Sequence, residues 1–140
     1  MMKFTFSIAL TIGIAFLSGC GPKYVLHDVK GTVTYNGKPL NDEGCSITFL
    51  SPTGKDATAK VAPTGEYLAK GVVEGPNTVA VYYSNPEAAK PRSPGEKAPK
   101  STSPLRNLPM HYADPKTSKL TVEVAAGTVY DVDLKGPTLK

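Results

Sequence analysis

Side chains that usually bind metals are scarce, since the 140 residues include two histidines, two cysteines and no tryptophan. A zinc site needs three or four ligands that converge on one point. His27 and His111 are far apart in the sequence, and no spacing of other ligands completes such a set. Ser46 and Thr48 likewise have no histidine or aspartate partner that indicates a hydrolytic triad. The sequence therefore predicts no metal, no cofactor and no enzymatic activity.

Long apolar runs are equally scarce. The one clear run, Phe4 to Phe16, is shorter than the roughly 20 residues of a membrane-spanning helix. It follows the short basic start Met1–Lys3 and precedes the small residues Ser18 and Gly19. This order is typical of a secretory signal peptide, which we assign to residues 1–19. The remaining chain is long enough for one domain.

The sequence around the predicted cleavage site, Leu17-Ser18-Gly19-Cys20, resembles the lipobox of bacterial lipoproteins. The resemblance implies cleavage before Cys20 and attachment of diacylglycerol to its thiol, with acyl chains such as palmitate. Burial of several acyl chains gives durable anchoring. We therefore expect a lipoprotein of the cell envelope, held to a bacterial membrane on its periplasmic or cell-surface side. Residues 20–27 would form the tether.

The net charge of +4 comes from one part of the chain. Outside residues 84–111, the chain that follows the signal peptide has ten basic and ten acidic residues. Inside that segment there are five basic and two acidic residues. No strand or helix carries the basic stripe that follows nucleic-acid phosphates, so the sequence does not predict a nucleic-acid partner.

If Cys20 is lipidated, Cys45 is the remaining thiol. Cys45, Ile47 and Phe49 alternate with Ser46 and Thr48. This period of two predicts that Cys45 shares the apolar face of a strand. A buried thiol there packs as a small hydrophobe and is unreactive.

Alternation of this kind recurs along the chain and predicts an all-β fold. Asn36-Gly37 is a strong signal for a tight hairpin turn. About seven short strands are predicted, and no amphipathic helix interrupts them. Their approximate positions are 28–35, 44–50, 58–61, 66–69, 78–83, 120–124 and 130–134. We interpret them as a seven-stranded antiparallel β-sandwich over residues 28–136.

Several motifs in this order resemble the carboxypeptidase regulatory-like domain of the transthyretin-like superfamily. They are Val29-Lys-Gly-Thr-Val-Thr-Tyr-Asn-Gly-Lys-Pro-Leu, Ser46-Ile-Thr-Phe, Thr64-Gly-Glu-Tyr and Gly75-Pro-Asn-Thr-Val-Ala-Val. The later stretch Leu108 to Val122 looks like small bacterial lipoproteins built on this domain. The resemblance implies a Greek-key sandwich and an envelope location. It implies no catalytic residues, because the domain is an accessory in carboxypeptidases.

Residues 84–111 form a long basic segment that contains six of the thirteen prolines. Before Leu105 it has almost no large apolar residues. This composition cannot offset the entropy of ordering, so we expect a disordered loop, with Asn85 to Ser103 mobile. Two interpretations stay open: a basic arm that engages an envelope protein or an anionic polymer or lipid, and a solvated insertion.

The candidate binding residues are the basic side chains of this segment and the tyrosines that flank it. They are Tyr82, Tyr83, Lys90, Arg92, Lys97, Lys100, Arg106 and Tyr112. Asp131 and Asp133 share one face of the last strand, about 7 Å apart by strand rise. We expect these two carboxylates to lie on a solvated outer face.

Together these patterns favour a lipid-anchored, non-enzymatic envelope protein that acts as a binding or structural module. The alternative is a small-ligand-binding or carrier protein with a pocket at one end of the sandwich. A deep pocket with convergent polar groups would favour that alternative.

Overall fold

The computed structural model describes Gly21 and residues 23–140, so the predicted signal peptide and Cys20 lie outside the described residues. The described part is all-β, with two sheets and no α-helix. No helix in this part is long and apolar enough to cross a membrane. The strands are β1 (Leu26–Tyr35), β2 (Lys38–Pro39), β3 (Cys45–Leu50), β4 (Asp56–Lys60), β5 (Glu66–Val73), β6 (Gly75–Tyr83), β7 (Leu120–Val124) and β8 (Val132–Leu134).

The first sheet is built around β1. β5 pairs with β1 antiparallel along one edge, and β2 forms a hairpin with its last residues. β8 also pairs with β1, but parallel, with Val33 opposite Val132. This pair departs from the all-antiparallel expectation, because residues 125–131 carry the chain from the end of β7 across to the first sheet before β8 begins.

The second sheet has the order β4-β3-β6-β7, and all its pairs are antiparallel. β3 pairs along its whole length with β6, so that Ile47 lies opposite Val81. β7 pairs only with residues 75–79 of β6. Among the described residues, no strand therefore covers the second half of β6 on that side.

The core lies between the sheets and follows the predicted phase of the strands. Val29 and Val33 of β1 and Ile47 and Phe49 of β3 are each 0% exposed. Successive side chains of a strand point to opposite faces, which is why alternation in the sequence locates the buried face. The predicted burial of Cys45 is confirmed, since it is 1% exposed.

Two local features of β1 follow directly from residue type. Asn36 and Gly37 form the turn to β2 with φ values of 50° and 76°, as a two-residue hairpin turn with both central residues left-handed requires. At Gly31, an added Cβ would lie 2.0 Å from the carbonyl oxygen of Tyr130. Only glycine therefore allows the last segment of the chain to approach β1 this closely.

The long loop expected over residues 84–111 is packed at its C-terminal end, beyond the stretch Asn85 to Ser103 that is predicted to be mobile. Leu105, Leu108 and Tyr112 are buried, and short 3₁₀-helices at Pro104–Asn107 and Met110–Ala113 position them. Met110–Ala113 packs on β6, where β7 does not reach. The proline-rich composition concealed this packing, because a few well-placed apolar residues suffice to anchor a loop to a core.

The strand directions give the sandwich two distinct ends. β1 and β4 start, and β5 and β7 finish, at one end, which we call the N-terminal end. At the other end β1 and β6 finish and β3 and β5 start. The long segment leaves β6 there, so we call it the loop end. The ten residues of β1 separate the two ends by about 30 Å.

Candidate binding site at the loop end

A cleft of about 930 Å³ opens at the loop end. Its walls come from the start of β3, the corner between β4 and β5, the end of β6 and the first residues of the long segment. The lining is mixed, with apolar residues such as Val61, Pro63 and Leu68 beside polar and aromatic ones. The polar and aromatic residues include Glu43, Ser46, Lys60, Glu66, Tyr82 and Asn85.

Strand register brings three of these residues into one row. Ser46 of β3 lies opposite Lys60 of β4 on one side and opposite Tyr82 of β6 on the other. Adjacent strands are about 4.8 Å apart, so neighbouring side chains of the row can contact one ligand together. The row offers an ammonium group, a hydroxyl group and a phenol, which suits a polar ligand with an anionic or hydroxylated group. A smaller depression of about 420 Å³ also involves Tyr82.

Cys45 lines the cleft but contributes no nucleophile. Its side chain is buried, and burial raises the pKa of the thiol to about 12. The thiolate is the reactive form of cysteine, so this thiol is unreactive at neutral pH.

The other two candidate tyrosines contact the protein itself. The Tyr83 hydroxyl is hydrogen-bonded to that of Ser101. Tyr112 is buried, and its hydroxyl donates to the Lys135 carbonyl at 3.1 Å and accepts from the Lys135 amide at 3.0 Å. Of the three tyrosines, Tyr82 is the one that lines the cleft.

Tyrosine hydroxyls hold the C-terminal segment elsewhere too. Tyr35 donates to the Pro137 carbonyl at 2.8 Å, and Tyr67 donates to the Tyr130 carbonyl at 2.6 Å. Burial raises the pKa of Tyr35 and Tyr67, so both hydroxyls stay protonated as donors. These bonds could not be predicted from the sequence, because each joins residues far apart in the chain.

The first part of the long segment is an exposed loop with a closed base. The Asn85 side chain donates to the Pro99 carbonyl at 2.9 Å, and Tyr83 is bonded to Ser101 just beyond. We call residues 86–100 the basic loop. Compact surface loops whose ends are held together are frequently functional.

The five basic candidates lie on or beside this loop. Lys90 pairs with the Glu87 carboxylate at 2.6 Å, and Arg92 donates to the Glu87 carbonyl at 2.6 Å. Arg106 donates to the Ser101 carbonyl at 2.6 Å. Lys97 and Lys100 are exposed.

Asp131 and Asp133 attach the end of the chain to β1. Asp131 accepts hydrogen bonds from the Thr32 amide at 2.7 Å and the Thr32 hydroxyl at 2.9 Å. Asp133 accepts from Thr34, from the Gly37 amide and from Lys135. The Lys135 bond, followed by the Gly37 bond, lowers the pKa of Asp133 to about 2. Both carboxylates are exposed, as expected, but they serve to join β8 to β1.

The two histidines lie apart. His27 contacts the Glu74 carboxylate at 2.6 Å at the N-terminal end, while the ring of His111 lies 4.0 Å from that of Tyr112. Across Gly21 and residues 23–140, no group of three or more histidine, cysteine, aspartate or glutamate side chains is placed to hold a metal ion.

Comparison with known proteins returned no matching family model and no matching curated protein.

Proposed function

We propose that this protein is a lipid-anchored, non-catalytic binding module of the bacterial cell envelope. The observation that carries the proposal is the position of the candidate site. The cleft and the basic loop lie at the loop end, whereas the tether enters β1 at the opposite end. A protein fixed to a membrane through Cys20 would thus present its candidate site away from that membrane.

The shortness of the tether supports this arrangement. Five residues, 21–25, separate Cys20 from the start of β1. Even fully extended, this stretch spans no more than about 20 Å. The Lys55 ammonium lies 5.0 Å above the Tyr24 ring, a cation–π contact that holds the tether against the N-terminal end.

We further infer that the fold is the Greek-key sandwich of the carboxypeptidase regulatory-like domain. Support comes from the two-sheet, all-β architecture and from the location of the motifs at strand starts and turns. Thr64-Gly-Glu-Tyr leads into β5, and Gly75 opens β6. An accessory domain of this kind fits a binding or structural role. Asp131 and Asp133 accept hydrogen bonds from Thr32 and Thr34 of β1, which also supports a non-catalytic role.

The cleft favours a second candidate function, that of a small-ligand-binding or carrier protein. Its volume of about 930 Å³ lies within the range of small-molecule sites, roughly 300–1,000 Å³. Native mass spectrometry of the purified protein tests this function. A bound small molecule that is lost in Tyr82→Ala would support it, and a ligand-free wild-type protein would count against it.

Metabolic labelling with radioactive palmitate tests the anchoring. We expect label and membrane fractionation for the wild type and for the matched control Cys45→Ala, which removes the other cysteine. Cys20→Ser should carry no label and either leave the membrane fraction or remain uncleaved. Equal labelling of Cys20→Ser and the wild type would refute lipid attachment at this residue.

A further inference from the structure

We propose that the basic loop, residues 86–100, is a docking surface for a flexible polyanionic polymer of the cell envelope. The proposal deepens the proposed function by naming a partner class. It depends on the lipid anchor of the proposed function only for the claim that the loop faces away from the membrane.

Uncompensated positive charge is the first observation. Between residues 86 and 106 the chain has five basic and two acidic residues. Both acidic side chains have contacts within the loop. Glu87 pairs with Lys90, and Glu96 accepts a hydrogen bond from the Ser93 amide. Glu96 keeps its charge because its donor is a neutral amide, but five basic and two acidic residues leave a net charge of +3, so cations dominate the field around the loop.

The second observation is that the arginines are held in place without being neutralised. Arg92 and Arg106 each donate to a backbone carbonyl, of Glu87 and Ser101 respectively. A carbonyl carries no net charge, so these bonds orient each guanidinium group and leave its full positive charge available. The bonds at the loop base, from Asn85 to Pro99 and between Tyr83 and Ser101, fix the loop on the sandwich.

Composition favours a polymer over a folded protein partner. Residues 86–100 contain no aromatic side chain, and alanine and proline are their only apolar residues. Protein interfaces depend on buried aromatic and large apolar anchors, which this loop cannot supply. Cations spaced around this exposed, proline-rich loop match repeated anionic groups on a linear polymer instead.

Distance disfavours the lipids of the anchoring membrane as the partner. The loop end lies about 30 Å from the end at which the tether enters. The Debye length at physiological ionic strength is about 8 Å. With the N-terminal end toward the membrane, the surface charge of that membrane is screened over this distance.

The test uses the full lipidated chain in neutral detergent micelles, with fluorescently labelled poly(glycerol phosphate) and polyglutamate as probes. We expect binding to at least one probe in low salt, measured by fluorescence anisotropy. Affinity should fall on the order of tenfold or more between 50 and 200 mM NaCl, as for binding dominated by counterion release. The stronger probe identifies phosphate or carboxylate as the preferred group.

A matched pair of variants distinguishes the contribution of the loop to polymer binding from a general effect of net charge. The loop variant combines Lys90→Gln, Arg92→Gln, Lys97→Gln and Lys100→Gln. The control removes the same four charges from exposed positions elsewhere, as Lys30→Gln, Lys38→Gln, Lys70→Gln and Lys116→Gln. We expect at least tenfold weaker binding for the loop variant and near wild-type binding for the control.

Other results would overturn the proposal. One is the absence of binding to either polymer in low salt, and another is equal weakening of polymer binding by both variants. A third is loop-dependent binding to vesicles of anionic lipid in place of the polymers. The labelling of Cys20→Ser and the wild type tests the anchor separately. If labelling refutes the anchor, polymer binding by the unlipidated chain would still support the role of the loop.

Discussion

The long segment between β6 and β7 should divide into two parts with opposite effects on stability. Leu105 is 1% exposed and belongs to the hydrophobic core. Leu105→Ala removes most of a fully buried side chain and leaves a cavity. Such substitutions cost about 2–5 kcal/mol in free energy of unfolding. Residues 87–98 lie almost entirely at the surface, so they contribute little packing.

Replacement of residues 87–98 by four glycine and serine residues should therefore change the free energy of unfolding by about 1 kcal/mol or less. The entropic free-energy cost of closing a loop of n residues scales as (3/2)RT ln n, so a threefold shortening changes that cost by only about 1 kcal/mol. The replacement keeps Asn85 and Pro99, which close the base of the loop.

Urea denaturation of both variants, followed by circular dichroism, measures the two effects on one scale. With similar m-values, the midpoint should drop clearly for Leu105→Ala and stay near the wild-type value for the loop replacement. A larger loss for the loop replacement than for Leu105→Ala would refute this division of the segment. It would mean that the exposed half packs on the sandwich.

Cys45 should react slowly with a bulky thiol reagent in the native state and rapidly in denaturant, because it is buried and its pKa is raised to about 12; fast native labelling would place it at the surface. Asp133 has a folded-state pKa lowered to about 2, below its unfolded value, so its stabilisation is present above pH 4 and is lost as the pH falls toward 2. Acid titration of unfolding should show a smaller loss of stability over this range in Asp133→Asn than in the wild type, and identical profiles would contradict the assignment.

Features that depend on neighbouring residues could be predicted from the sequence. The alternation at Val29 and Val33 locates the buried face of β1, because side-chain direction in a strand has a period of two. Asn36-Gly37 likewise specifies its turn locally, through the left-handed conformations that these two residues tolerate.

Features that depend on register could not be predicted in this way. The row of Lys60, Ser46 and Tyr82 exists only because β4, β3 and β6 align those residues. Asp131 accepts a hydrogen bond from Thr32, which lies 99 positions earlier in the chain. Nothing in the sequence around either residue specifies the other as its partner. The packing of Leu105 was missed for a different reason, since an average over a proline-rich window hides a single anchoring residue.

The parallel pairing of β1 with β8 sets the order in which this chain can fold. Contacts such as that between Thr32 and Asp131 join the beginning of the domain to its end, and this high contact order slows folding. A chain that emerges amino terminus first, from a ribosome or through a membrane, exposes β1 long before β8 appears. The first sheet stays incomplete until the last residues have emerged. The native first sheet therefore forms only after β8 has emerged, and β1 must remain without this partner until then.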